Sequence, residues 1–219
     1  MTLKKVATFQ VTETTAIEIT VGTILDFEPT FGPETAAIVN NSNITCIANF
    51  ISGKNRLEQL VQQAGGERLL AARLELPLIE GELSLRCEVG DAKVLGPNQY
   101  GRIPTSYVID AVGPNYVEYN FEQYEDVDEL LMSAYGSALE RAKEKNLKEV
   151  AISLIGIDSK GKRSLKQILA LGLSALGYWA QENVGSSVTS IVVCTSTDVE
   201  AEKMVECGRK LGLVPMEEK

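Results

Sequence analysis

At 219 residues, 44% hydrophobic and 23% charged, the chain can bury one full core and has the composition of an ordinary globular protein. Its formal net charge of −9 argues against a duplex nucleic-acid binder, which needs a cationic face, but leaves room for a small anion held by backbone N–H groups. It contains no histidine, which removes Ser-His-Asp and Cys-His catalysis, histidine general bases and every His-containing zinc site.

Chemistry in such a chain is left to carboxylates, bound water and backbone dipoles; the expectation is no metal and no cofactor. Cys46, Cys87, Cys194 and Cys207 show no C-x-x-C spacing, so they are expected to be reduced and buried. The basic start Met1 to Lys5 is followed by Glu13 and Glu18 rather than an apolar run, unlike a signal peptide. The most apolar stretch, Ile168 to Ala180, is too short to span a bilayer and is broken by Gly172, Ser174 and Gly177. A soluble protein of the cytoplasm or nucleus, with no membrane partner, is the expectation. Without an internal repeat or linker, residues 1–219 read as a single domain.

Alternation over the first ~25 residues, with Ile17, Ile19 and Val21 on one face, predicts two strands. Ala36 to Val39 is a continuous apolar run, the pattern of a strand covered on both faces. Asn55-x-x-Glu58 reads as a capping box for a helix that turns Leu57, Leu60, Val61 and Ala64 inward and ends at Gly65-Gly66, with a further helical turn over Leu69 to Leu74. Leu83 to Ile109 reads as two or three strands around the Gly96 to Gly101 loop. Asp126-x-x-Glu129 then caps a helix with a stripe through Val127, Leu131, Ala134, Tyr135, Ala138 and Ala142. The last third alternates: a strand at Val150 to Ile155, a helix capped by Ser164-x-x-Gln167, a strand at Val188 to Cys194, and a helix from Thr197-x-x-Glu200 to Gly212. Strands alternating with such helices imply an α/β fold, a three-layer α/β/α sandwich around a mixed central sheet. Ligands in such sheets bind beyond the carboxyl ends of the strands. Two polar loops fall there, Asn40-Asn41-Ser42-Asn43 after the Ala37-Ile38-Val39 run and Ile155-Gly156-Ile157-Asp158-Ser159-Lys160-Gly161 before a long helix.

Together with Tyr107-Val108-Ile109-Asp110-Ala111-Val112-Gly113-Pro114, these segments resemble the signature segments of macro domains, in the family's order and over nearly the whole chain. The Leu57 to Leu76 stretch is most similar to the macro domain of the histone variant that bears one. The resemblance implies a module for ADP-ribose, free or attached to protein. It places Thr23 and Ile24 at the adenine turn, Asn43 at the distal ribose, Asn40 among the ligand-binding residues of the same segment, and Gly53, Gly156, Ile157, Asp158, Ser159, Lys160 and Gly161 around the diphosphate. Thr23 stands where the family carries an aspartate, at a loss on the order of 1.5–3 kcal/mol for a charge-assisted bond. Asp110 stands where many members have histidine, and as a residue following a buried run it is expected to be paired or solvent-facing rather than catalytic. Hydrolytic members follow the Asn motif with glycines and an acid that orients water, whereas Ile44 to Gly53 contains a single glycine and no acid. Three activities therefore stay open: ADP-ribose binding; hydrolysis of an ADP-ribosyl or acyl-ADP-ribose bond; and a degenerate fold serving as an interaction scaffold, with Ile47 to Ile51 filling the crevice. Catalytic residues are not assigned.

Overall fold

Seven strand-forming runs, Lys4–Gln10 (β1), Ala16–Val21 (β2), Ala36–Asn41 (β3), Ala92–Leu95 (β4), Tyr107–Ala111 (β5), Glu149–Ser153 (β6) and Ser190–Thr195 (β7), build one sheet in the order β1-β2-β7-β6-β3-β5-β4. The pairs from β2 through β5 are parallel, while β1 and β4 close the two edges antiparallel. The computed structural model describes residues 2–48, 56–157 and 160–216.

Side chains alternate across each strand, so every strand feeds two cores. Ala37 and Val39 of β3, Ile109 of β5, Val150 and Ile152 of β6 and Ile191 and Val193 of β7 enter a core with the helices Tyr124–Glu144 (α2), Leu165–Glu182 (α3) and Asp198–Lys210 (α4). Ala36, Ile38, Val108, Ala151 and Val192 point the other way, against Val61 and Leu69 of helix Arg56–Glu75 (α1) and against Ile24 and Phe27. This is the three-layer α/β/α sandwich with a mixed sheet. Ser164 and Thr197 cap α3 and α4 in capping boxes with Gln167 and Glu200, as their spacing predicts.

The differences from the sequence expectation are local. Helix α1 does not end at Gly65-Gly66: it bends there, with Gly66 at φ 62° and ψ −154°, and continues to Glu75. Only glycine holds that backbone without strain. Leu60 lies on the outer side at 38% exposure. The Asn55 cap lies outside the described residues. Gln123, not Asp126, precedes the first turn of α2, because a short 3-10 turn over Phe121–Gln123 feeds straight into the helix. Leu83 is almost fully exposed and belongs to no strand; only β4 and β5 form in the middle segment. Among the described residues, no helix is long and apolar enough to cross a membrane.

Candidate functional site

Strands β3 and β6 are hydrogen-bonded neighbours, so the loops that leave their carboxyl ends, after Asn41 and after Ser153, emerge side by side. The β2 end, with Gly22 and Thr23, lies two strands further along the same edge.

The first loop is tied down by its own polar side chains. Asn43 Oδ1 accepts from Thr45 N (2.8 Å) and Thr45 Oγ1 (2.6 Å), and its Nδ2 donates to Ile47 O (2.7 Å) and Glu58 Oε1 (2.7 Å). Ser42 Oγ and Asn43 N donate to the same Glu58 oxygen, at 3.0 and 3.3 Å. Glu58 is only 2% exposed. Burial pushes its carboxyl up to about 7; the Ser42 and Asn43 donors pull the other way without overcoming it. The loop itself lacks an acid, as its sequence says, but the first turn of α1 places one directly behind Asn43. The sequence marks Glu58 only as a helix cap. Its further signal is spacing: it lies one helical turn before the core-facing Val61.

Asn40 is fully buried and belongs to a second network beneath the loop. Period-two alternation sends it to the α1 side of the sheet, where it is the register partner of Asp110 on β5. Asn40 Nδ2 donates to Asp110 Oδ1 (2.8 Å). Arg73 grips the same carboxylate with two donors, Nε to Oδ2 at 2.7 Å and Nη2 to Oδ1 at 2.5 Å, and its Nη1 donates to Gln62 Oε1 at 2.8 Å. Gln62 and Arg73 are three helical turns apart in sequence and could not touch on a straight helix. The Gly66 bend brings them together, and Gln62 Nε2 donates to the Gly66 carbonyl itself (3.1 Å). Asp110 is thus paired, as expected, and Asn40 is a framework residue whose amide orientation the carboxylate fixes.

At the turn after β2, Thr23 N and Oγ1 both donate to Asp26 Oδ2, at 3.0 and 2.8 Å. Burial works to raise the Asp26 carboxyl, and the two Thr23 donors hold it below the usual range. A carboxylate absent at Thr23 therefore stands three residues later. Ile24 is fully buried in the α1-side core, so only its backbone is available to a ligand.

The second loop is strapped from below by side chains whose sequence positions give no hint of that role. Ile155 N donates to Tyr135 Oη (2.8 Å) and Lys162 N to Tyr124 Oη (3.1 Å). Arg163 pairs with Asp128, which also accepts from Tyr116 Oη at 2.7 Å. Gly156 and Gly161 have φ of 74° and 56°, and the open side of Gly161 faces Tyr124 and Tyr116 too closely for a Cβ. Ile157 is half-buried against the large core, and Lys160 Nζ donates to Arg163 O (3.3 Å). The loop then runs into the amino terminus of α3, where Ser164 and Gln167 cap each other's N–H groups and the first turn carries the positive end of the helix dipole. Gly53, Asp158 and Ser159 fall outside the described residues, as do residues 49–51 of the expected crevice filling.

The family description "Macro domain" matches residues 41–164, more than half of the chain. The protein belongs to the macro domain family. A macro domain-containing protein of Caldanaerobacter subterraneus subsp. tengcongensis is 33% identical over 128 residues, which cover 58% of this chain and 64% of that protein; the match thus spans under two thirds of that relative's length. Among solved structures, the Oceanobacillus iheyensis macrodomain with ADP is similar at a TM-score of 0.74 and 21% identity, covering 96% of this chain and 98% of that one. A mutant of the same macrodomain with ADPR is similar at a TM-score of 0.73 and 21% identity, covering 95% and 98%.

Proposed function

We propose that this protein binds ADP-ribose, free or carried on a protein, at the carboxyl edge between the β3 and β6 loops. The observation that carries the reading is the pairing of β3 with β6. It sets the Asn43 turn beside the glycine loop that leads into α3. Family membership supports it, as do the ADP and ADPR ligands of the similar Oceanobacillus iheyensis macrodomain. In this reading the Gly156 to Gly161 loop and the α3 amino terminus receive the diphosphate, whose charge is met by N–H groups and the helix dipole. Lys160 lies in that loop, and Thr23 with Asp26 takes the adenine edge. Asn43 and the hydroxyls of the distal ribose compete for the same hydrogen bonds that now close the turn. Residues 1–219 are read as one unit, since a single sheet runs from β1 to β4 and Phe9 bridges Pro215 near the chain's end.

Isothermal titration tests the reading. ADP-ribose should give saturable heat, and Asn43→Ala should weaken binding about tenfold, ~1.4 kcal/mol, as for one lost hydrogen bond. Absence of heat from folded protein at high micromolar concentration removes the proposal.

Glu58 favours a second reading, hydrolysis of an ADP-ribosyl bond. A carboxyl near 7 exchanges its proton at neutral pH, and because Glu58 is only 2% exposed behind Asn43, it would take one from an attacking water through the Asn43 turn rather than by direct contact. Wild-type protein should then release ADP-ribose from mono-ADP-ribosylated protein, and Glu58→Gln should slow release by about 10²-fold or more. If the wild type releases nothing over hours, binding alone stands.

A further inference from the structure

Two thiols that the binding site does not use meet beneath the Asn43 turn. Cys46 closes that turn: its N–H donates to Asn43 O at 2.8 Å, and its backbone is left-handed, at φ 56°. Few residues other than glycine, asparagine or aspartate adopt such a backbone without cost. Cys87 arrives from the segment before β4, which is stitched to the same turn through one carbonyl, Ile44 O accepting from Arg86 N (2.8 Å) and Cys87 N (3.1 Å). Cys46, Cys87 and Val112 form a small apolar cluster of their own, and both cysteines are fully buried. Inside it the two cysteines pack together, and the neighbouring Cys87 and burial push the Cys46 thiol up, so that it forms a thiolate only once the turn opens. Cys194 and Cys207 lie in different clusters, one on each side of the sheet.

We propose that Cys46 and Cys87 are a site of reversible oxidation, forming a disulfide that ties the Asn43 turn covalently to the segment leading into β4. The oxidant is a hydroperoxide. One cysteine, as thiolate, attacks the peroxide oxygen, the O–O bond breaks, and the sulfur becomes a sulfenic acid as water or an alcohol leaves. The second thiol attacks that sulfur, the S–OH bond breaks, a second water departs and the S–S bond forms. Two thiols have then lost two electrons and two protons, and the peroxide has been reduced by the same two electrons. A thiol reductant reverses the change by exchange through a mixed disulfide. Both sulfurs are shielded, so the first step needs the turn to open, and the oxidation is slow beside that of an exposed thiol.

The test uses the full chain, folded, treated with hydrogen peroxide and mapped by mass spectrometry after non-reducing digestion. The expected result is an intact mass lower by two hydrogen atoms, a fall in alkylatable thiols from four to two, and one cross-linked peptide pair containing Cys46 and Cys87, all restored by reductant. Cys46→Ser and Cys87→Ser should each abolish the cross-link; Cys194→Ser should leave it intact. The wild-type peptide map decides the matter even where a serine variant fails to fold. Four alkylatable thiols after treatment, a cross-link through Cys194 or Cys207, a disulfide between two copies, or single over-oxidised cysteines without a cross-link would each overturn the proposal.

Discussion

Replacing Arg73 by methionine is expected to cost about 3–5 kcal/mol of stability, because it strands the Asp110 carboxylate in a fully buried position without its counter-charge. For a chain of this size that is a fall in Tm on the order of 10 °C. The loss comes from what remains, not from the worth of the pair. Two hydrogen bonds to Asp110 and one to Gln62 disappear, and among the described side chains only Asn40 Nδ2 is left donating to the surviving negative charge. The double variant Arg73→Met with Asp110→Asn should therefore recover more than half of the loss: no charge is left buried, and the introduced amide still offers an oxygen to Asn40. Chemical denaturation of the two single variants and the double, read as a cycle, measures this. A cost under about 1 kcal/mol for Arg73→Met would mean that water reaches the carboxylate and that the network is not sealed as described.

The same network shows what is legible in a sequence and what is not. Strand β3 is legible because Ala36 to Val39 is apolar on both faces and ends abruptly in Asn40. The starts of α3 and α4 are legible because a capping box is a local device, complete within four residues. Arg73, Gln62 and Glu58 are not. Each is a polar residue on a helix: the sequence marks Glu58 only as a helix cap and gives Gln62 and Arg73 no buried role, since charged side chains are rarely buried unless paired. Their partners lie on other elements or across a bend: Asp110 on β5 for Arg73, the Asn43 turn for Glu58, the far side of the Gly66 kink for Gln62. The glycine pair at the kink reads as a stop because a terminator and a hinge use the same residue for the same conformational freedom. Asp128 and Tyr124, which hold up the second loop, sit beside and within the core-facing stripe of α2, where a helical period explains their presence without reference to any loop.

Glu58 should leave a signature in the pH dependence of stability, and its direction follows from the raised carboxyl. In the unfolded chain Glu58 titrates near the ordinary glutamate value of 4.5; in the folded chain it holds its proton up to about 7. Below the first value both states are protonated, and the stability associated with the neutral carboxyl is fully present. Between the two values only the folded state is protonated, so that contribution drains away as pH rises, and above about 7 it is gone. The interval is worth on the order of 3 kcal/mol at 1.36 kcal/mol per pH unit. Asp26, Asp91 and Glu206 are shifted downward instead, so their contributions are lost as pH falls, at the acid end of the range. All three are common to the wild type and Glu58→Gln, and they cancel in the difference between the two. The glutamine keeps an oxygen for Ser42 and Asn43 and carries no charge at any pH. Urea unfolding at about pH 5 and about pH 7.5 should therefore show Glu58→Gln gaining roughly 2–3 kcal/mol on the wild type over that interval. A difference that stays flat with pH would mean that Glu58 titrates as an ordinary surface glutamate, and the hydrolytic reading would lose the proton-exchanging group it depends on.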